Sequence, residues 1–229
     1  RITWFSDLLL HSPDKLRDAE TVERYLKLMR QAASNSSETV RRMRKFYRPR
    51  QDYSFSPLDL NEIVEHAISL TEPRWREEAE ARGAHIQVEC ELEETARVEA
   101  NESELHEALT NLIFNAVDAM PDGGKLRIKT RQEGNEVLLN VSDTGTGMSE
   151  DVRRHCIDPF YTTKGDDGTG LGLAAVQGIV ERHEGHITVE SAEGEGTTFH
   201  VRLPVAETDQ EKPAAEPGRR QCARCLSVL

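Results

Sequence analysis

The stretch ELHEALTNLIFNAVDAM, residues 104–120, has the pattern of a helix with two distinct faces. Its apolar residues recur every three or four positions, which predicts a helix over about 102–120. The core face that we predict consists of Leu105, Ala108, Leu112, Ala116 and Ala119. Asn111, Asn115 and Asp118 share another face, since they follow at i, i+4 and i+7. Because asparagine is a mediocre helix former and amide oxygens are hard ligands, this face indicates either a magnesium and phosphate site or a pair of satisfied surface amides.

A second segment, VSDTGTGMS at residues 141–149, places an acid and two glycines at the end of a predicted strand. The carboxylate of Asp143 can accept a hydrogen bond from an exocyclic amine. Gly145 and Gly147 let the backbone turn sharply beneath a planar ring. A simple Asp-Gly turn explains the same residues, so this segment alone leaves both interpretations open.

A third segment, DPFYTTKGDDGTGLGL at residues 158–173, is glycine-rich but fits neither common phosphate motif. No Lys-Ser/Thr follows the glycines, as a P-loop requires, and the glycine spacing is not that of the dinucleotide fingerprint. The backbone amides of this segment and the start of the following helix would form an anion site. Lys164 could reach a terminal phosphate from here, although a flexible loop with a helix start is the alternative.

The length, the net charge and the apolar content of the chain limit the class of protein. The chain has 229 residues, enough for one large or two small domains. Its net charge of −12 argues against a general nucleic-acid binder. No apolar run is long enough to span a membrane and no signal peptide is evident, so a cytoplasmic segment is expected. The chain begins with arginine, which suggests a piece of a longer protein.

Regular apolar spacing near the start predicts a two-helix hairpin over 1–50. The seam of its long helix, spaced 4, 3, 4, 3, 4, 3 and 4, consists of Val22, Leu26, Met29, Ala33, Ser36, Val40, Met43 and Tyr47. A seam this narrow cannot close a core alone, so we predict a homodimer whose two hairpins form a four-helix bundle. A hairpin packed on the second domain is the alternative.

The following region, 51–204, alternates between strand and helix patterns. Strands are predicted at 53–56, 85–90, near 98, and at 125–131, 136–142, 186–191 and 197–203, and helices at 60–82, 102–120 and 171–183. Strands with helices gathered on one face indicate an α/β two-layer sandwich, which makes the whole chain α+β. Residues 148–170 lack an obvious pattern and would form a functional lid.

The last region, 205–229, is polar and rich in proline and alanine, which predicts a linker or tail. It contains the pair Cys222-Ala-Arg-Cys225. One such pair is a weak signal for zinc or redox chemistry, and we interpret it as tail sequence.

The order of these signals is more specific than any of them alone. It runs Asn-x3-Asn, Asp-x-Gly-x-Gly, Phe-Tyr, Gly-x-Gly-x-Gly and Gly-x-Gly-Thr. This series resembles the asparagine, glycine and phenylalanine boxes of sensor histidine kinases, and the likeness covers residues 1–204. It implies the GHKL-type ATP-binding sandwich shared with gyrase-type, heat-shock chaperone and mismatch-repair ATPases. The hairpin then resembles the dimerisation and phosphotransfer domain of such kinases.

The resemblance implies a role for each motif. Asn115 would be the Mg²⁺ ligand, with Asn111 and Asp118 beside it. Asp143 would bind adenine, supported by Thr197. The lid would be anchored by Phe160 and Tyr161, and the ATP phosphates would be wrapped by Gly168, Thr169, Gly170, Leu171, Gly172 and Leu173.

The same helix distinguishes members of the superfamily. Gyrase-type ATPases carry a water-activating Glu four residues before the magnesium Asn, where this chain has Asn111. Pairing Glu107 with Asn111 instead would put Phe114 where an acid is expected. Without a carboxylate to position water, transfer is favoured over hydrolysis.

The phosphoacceptor is the remaining question. The acceptor motif of the family, His-Asp/Glu-x-x-Asn, is not found in the sequence, and His11 has no acid next to it. The family pattern would place the acceptor upstream of Arg1. We therefore expect a chain that binds Mg-ATP, does not phosphorylate itself, and works with a response-regulator receiver domain. A degenerate ATP-binding dimerisation module, an anti-sigma-type serine kinase and a hydrolysing gyrase-type ATPase are the alternatives.

Overall fold

In the computed structural model of the chain, the described residues are 26–27, 54–165, 168–207 and 219–220, the last pair by backbone alone. The chain divides into two compact units, Arg1–Gln51 and Asp52–Leu229. Apart from Leu26 and Lys27, the predicted hairpin lies outside the described residues, as does the cysteine pair. The heptad seam, the homodimer and the domain bounds therefore stay predictions, and the fold below is that of the second unit.

The second unit alternates strands and helices. In chain order the elements are β1 (Ser56–Leu58), α1 (Leu60–Glu72), a π-helical turn (Pro73–Glu77), α2 (Glu78–Ala81), β2 (Ile86–Glu93), β3 (Val98–Ala100), α3 (Glu102–Ala119), β4 (Gly124–Glu133), β5 (Glu136–Asp143), α4 (Glu150–His155), α5 (Gly172–Arg182), β6 (His186–Ala192), β7 (Gly196–Pro204) and β8 (Arg219–Arg220). No helix among these residues is long and apolar enough to cross a membrane.

Within the described residues, six strands form one mixed sheet in the order β6-β7-β5-β4-β2-β8. β2 and β4 are parallel, and the other neighbours are antiparallel. β1 and β3 form a separate antiparallel pair. β8 adds a short edge strand from within the segment predicted as a tail. The predicted α+β class with a two-layer sandwich is confirmed.

The sheet buries one face and exposes the other. Its inner face is apolar and includes Val88, Ile128, Val141 and Phe199. On the other face, Glu89 accepts hydrogen bonds from Lys125 at 3.0 Å and from Arg127 at 2.9 Å. This alternation, with period two, is what a strand produces when helices cover only one side of a sheet.

α3 is the central helix of the covering layer. It begins at Asn101, whose side-chain oxygen accepts a hydrogen bond from the backbone N–H of Glu104 at 3.1 Å, an N-cap. Of the predicted core face, Ala119 is only half-buried and the other four residues are buried. The buried surface also includes Leu109, Ile113 and Val117, because α1 and α5 pack on α3 in addition to the sheet.

Three predicted stretches differ from the structure. The strand predicted at 53–56 is found at Ser56–Leu58. The helix predicted over 60–82 contains a π-helical turn, because Pro73 has no backbone N–H to continue the α-helical pattern; the backbone N–H of Glu78 donates to the carbonyl of Pro73 instead. The prediction of an irregular 148–170 was wrong at Glu150–His155, which form α4. Ser149 caps this helix by accepting from the Val152 backbone N–H at 3.3 Å.

Candidate nucleotide site

The amide-bearing face of α3 lies directly under the start of α5. Asn111 and Asn115 are half-buried on this face. A Cβ added to Gly172 would lie 3.6 Å from Asn111 Oδ1 and 4.0 Å from Asn115 Nδ2. The structure therefore brings together two of the sequence-predicted motifs, the asparagines and the final glycine box. The backbone amides at the N-terminus of α5 thus lie next to the side-chain amides of Asn111 and Asn115.

The ammonium group of Lys164 lies against this face. Lys164 Nζ lies 2.7 Å from Asp118 Oδ2 and 3.4 Å from Asn115 Oδ1. Asn115 Nδ2 is buried and has no hydrogen-bond partner among the described residues. A buried amide donor without a partner is costly in a protein interior. Oxygen atoms of Asn115 and Asp118 therefore face a positive charge at this point. The Asn115 amide nitrogen beside them could donate a hydrogen bond to an anionic oxygen.

Arg74 is a member of this cluster that the sequence did not reveal. Its guanidinium donates to Asp118 Oδ1 at 2.9 Å and lies 5.5 Å from the centre of the Phe114 ring. It belongs to the π-helical turn, 44 residues before Asp118. No local pattern connects the two residues, since their contact depends on how α1 and its continuation pack on α3.

The two cations control the charge state of Asp118. Burial alone would raise the pKa of this carboxyl, but the hydrogen bonds and charges of Lys164 and Arg74 outweigh it and lower the pKa below 3.8. Asp118 raises the pKa of Arg74 in turn. Asp118 is therefore a carboxylate at neutral pH, held between the side chains of Lys164 and Arg74.

Asp143 lies at the other end of the site, where β5 ends. The residue is 8% exposed. Its carboxylate accepts hydrogen bonds from the backbone N–H of Gly145, at 2.9 Å, and from the backbone of Thr197. Burial nevertheless outweighs these two bonds and raises the pKa of Asp143. A buried carboxylate that retains acceptor capacity suits a hydrogen-bond donor on a flat ligand.

The loop after Asp143 makes close backbone contacts that require glycine. Gly147 has φ of +63°, and a Cβ there would collide with the carbonyl oxygen of Ala192. A Cβ on Gly145 would collide with the carbonyl oxygen of Ala119. The N–H of Thr146 donates to that same carbonyl at 2.9 Å. These contacts attach the loop to the last turn of α3.

Thr197 helps to hold this loop through its neighbour on β6. Its side-chain oxygen is 3.0 Å from Ser191 Oγ. Ser191 Oγ also donates to the carbonyl of Gly196 at 2.8 Å and accepts from the N–H of Met148 at 2.9 Å. Sequence analysis missed Ser191, since a serine in a strand carries no signal of its own.

A backbone hydrogen bond joins two residues of the segment predicted as a lid, 148–170, in which 166–167 are not described. The N–H of Phe160 donates to the carbonyl of Gly170 at 2.9 Å. Phe160 has the unusual φ of +69° and is 59% exposed. The ring of Tyr161 lies 5.6 Å from that of His155 on α4. The aromatic pair is thus next to α4 and solvent, and its predicted contact with nucleotide stays a prediction.

The remaining predicted residues lie at the start of α5. Gly168 and Gly170 leave no room for a side chain, because an added Cβ would collide with Thr162 or with the backbone of Phe160. Leu171 is buried and Leu173 packs against the core. Thr169 is half-buried. Any phosphate contact from the two leucines would therefore come from their backbone amides.

Comparisons with known sequences agree with this geometry. A family model for the histidine kinase-, DNA gyrase B-, and HSP90-like ATPase matches residues 100–207. Sporulation kinase E of Bacillus subtilis is 38% identical over 136 residues, which are 58% of this chain and 18% of that protein. Sensor histidine kinase ZraS of Salmonella typhimurium is 36% identical over 156 residues, 67% of this chain and 32% of that protein. The chain thus spans about a third or less of these relatives.

Solved structures agree as well. The catalytic domain of the histidine kinase ThkA is 31% identical, with a TM-score of 0.57, and the match covers 66% of this chain and 95% of that one. The histidine kinase ThkA in complex with the response regulator protein TrrA matches at 25% identity and a TM-score of 0.66, covering 93% of this chain and 59% of that one. The chain therefore belongs to the sensor histidine kinase family, with a GHKL-type ATPase domain as its catalytic part.

Proposed function

We propose that this chain binds Mg-ATP and transfers the γ-phosphoryl group to a histidine. The family to which it belongs binds ATP. The observation that carries the proposal for this chain is the cluster at Asn115, whose amide oxygen faces the Lys164 ammonium at 3.4 Å while its amide nitrogen is buried without a partner in the described residues. A metal-bound triphosphate would satisfy both atoms at once.

The metal would be held on the α3 face. Asn115 would ligate Mg²⁺ through its amide oxygen, a hard ligand of the kind this ion prefers. Asn111 and Asp118 would lie beside it and orient Mg²⁺-bound water or phosphate oxygens. When bound, the ion would neutralise charge on the phosphates. Without nucleotide, Lys164 contacts Asp118. When ATP binds, its ammonium group would leave Asp118 and contact the terminal phosphate instead.

The base would lie at Asp143. The exocyclic amine of adenine would donate to the buried carboxylate, which is already oriented by Gly145 and Thr197. A guanine base carries a carbonyl where adenine carries this amine, so its oxygen would meet a negative charge. Asp143 would thereby select adenine over guanine.

The reaction would be phosphoryl transfer. A hydrolase needs a group that positions and activates water, and Asn111 occupies the site where related hydrolases of the superfamily carry a glutamate. An amide can orient a phosphoryl group but does not accept a proton from water at neutral pH. Of the alternatives, the hydrolysing ATPase is therefore the least favoured.

The partners follow from the family. ThkA forms a complex with the response regulator protein TrrA, and we propose that a receiver domain with an acceptor aspartate serves this chain. We also propose a homodimer through the predicted hairpin. Because the family's acceptor motif is not found in this sequence, the chain should label a supplied histidine-bearing hairpin but not itself.

The test is incubation of the chain with γ-labelled ATP, Mg²⁺ and a separate histidine-bearing hairpin of a sensor kinase. Acid-labile label on the hairpin is expected, because phosphohistidine hydrolyses in acid. Label that survives acid would favour a serine kinase, and ATP binding without label would favour the degenerate module. Rapid phosphate release without any acceptor would favour a hydrolase.

A further inference from the structure

A pair of histidines lies between α1 and α3, on a different side of α3 from the nucleotide site. His66 Nδ1 and His106 Nε2 are 3.2 Å apart, and their rings meet edge to face at 4.7 Å between centroids. Glu102 Oε1 lies 3.7 Å from the same His106 nitrogen. The three ligand atoms all fall within 4.8 Å of one another. Asn111 follows His106 by five positions, which places the two about 140° apart around the helix.

We propose that His66, Glu102 and His106 form a site for a divalent transition-metal ion of the Zn²⁺ class. Zinc binds imidazole and carboxylate ligands at about 2.0–2.2 Å in tetrahedral geometry, which puts neighbouring ligand atoms about 3.3 Å apart. The two nitrogens already have this separation. Glu102 Oε1, at 3.7 Å from His106 Nε2 and within 4.8 Å of His66 Nδ1, would have to move closer to both nitrogens, and the Glu102 side chain is 65% exposed.

The burial of these side chains determines which of their atoms an ion can reach. His106 Nδ1 is buried, so Nε2 is the ring nitrogen that is available to a ligand. His66 and Glu102 are exposed, which gives an ion a path from solvent. Three protein ligands leave one coordination position for water.

The ion would be a structural clamp. His66 lies on α1, while Glu102 and His106 lie one turn apart on α3, so a bound ion would join two helices of the covering layer. Two imidazoles favour zinc, copper or nickel over magnesium. Millimolar Mg²⁺ for the nucleotide site therefore should not compete here, and the inference does not depend on the proposed kinase function.

The test is equilibrium dialysis of the chain against Zn²⁺ in excess Mg²⁺. Cys222→Ser and Cys225→Ser are introduced first, because the cysteine pair is a rival zinc ligand. His66→Gln is the test variant, since an exposed residue is replaced without disturbing the core. His186→Gln, at an exposed histidine of β6 outside the cluster, is the matched control.

One zinc ion per chain is expected in the Cys222→Ser, Cys225→Ser protein and in the same protein with His186→Gln. His66→Gln should weaken binding by at least about 10-fold, since even loss of an outer partner of a metal ligand costs that much. Zn²⁺ should also raise the thermal midpoint of the control but not of His66→Gln. No stoichiometric zinc, or equal zinc in both variants, would overturn the proposal and leave the histidine pair as a hydrogen bond between two rings.

Discussion

The two ends of the nucleotide site are built by different kinds of interaction. At the Asp143 end, a buried carboxylate is held by backbone hydrogen bonds, and glycines allow close backbone contacts. At the Asn115 end, partly exposed side chains are held by ion pairs from Lys164 and Arg74 to Asp118. In the proposed arrangement, the base end is therefore preformed by packing, whereas the phosphate end is held by charge pairs that a ligand would replace.

This difference has a consequence for binding. Contacts made by backbone and glycine would not have to be broken when a base enters, so we expect the base end to select the ligand. The Lys164–Asp118 pair, 44% and 25% exposed, must exchange partners when phosphate enters. Exposed ion pairs contribute little stability, which makes such an exchange inexpensive.

The largest expected effect is that of Gly147→Ala at the base end. The new methyl group meets the carbonyl of Ala192 at a φ of +63°, so strain and overpacking together should cost about 2–4 kcal/mol. The matched control is Gly134→Ala in the β4–β5 turn, where φ is +61° but a Cβ would meet nothing among the described residues. There only the backbone cost of about 1–2 kcal/mol applies. Urea unfolding measures both, and equal losses would contradict the packed base end.

Next in size is the effect of Asp143→Asn on affinity. ATP binding should weaken about 10- to 100-fold, since a hydrogen bond to a charged group contributes about 1.5–3 kcal/mol. Stability should be unchanged or higher, because burial disfavours this carboxylate in the folded state. Asp151→Asn, at an 84% exposed aspartate of α4, is the control. Calorimetry with ATP decides, and unchanged affinity in Asp143→Asn would remove the adenine assignment.

A smaller effect is expected for Lys164→Gln at the phosphate end. Affinity for ATP should fall about 3- to 10-fold and that for ADP by less, because the lysine would contact the terminal phosphate; an exposed charge contributes about 1 kcal/mol. The control is Lys125→Gln, which removes an equally exposed ion pair with Glu89 on the outer face of the sheet. Equal losses for ATP and ADP in Lys164→Gln would contradict this role.

The smallest expected effect is a difference in carboxyl pKa between the two ends of the site. The pKa of Asp143 should lie above 3.8 and that of Asp118 below it, as carboxyl NMR titration can measure. A raised pKa means that Asp143 favours the fold below pH 3.8 and loses this contribution as pH rises through its folded pKa. Asp118 contributes stability above pH 3.8 and loses it as pH falls through its folded pKa. Arg74→Ala should raise the pKa of Asp118 and leave the pKa of Asp143 unchanged.

Local patterns predicted much of this site. The asparagine face of α3 and the carboxylate at the end of β5 both follow from spacing within one element, and the structure has these residues on that helix and at the end of that strand. Their contacts with nucleotide stay predictions. α4 was not predicted because its sequence has no apolar periodicity. It is marked only by a serine N-cap and by charged residues at both ends. Arg74 and Ser191 were not predicted because their contacts join elements distant in the sequence. The histidine pair is of the same kind, since it exists only where α1 packs on α3.

The most direct test of the central claim is calorimetric titration of the intact chain with ATP, in Mg²⁺ and in EDTA. We expect binding that is tighter in Mg²⁺, and an Asn115→Ala variant that loses the difference between the two conditions. ATP binding that ignores Mg²⁺ in the unmodified chain, or no binding in either condition, would contradict a metal-bound triphosphate between α3 and the start of α5.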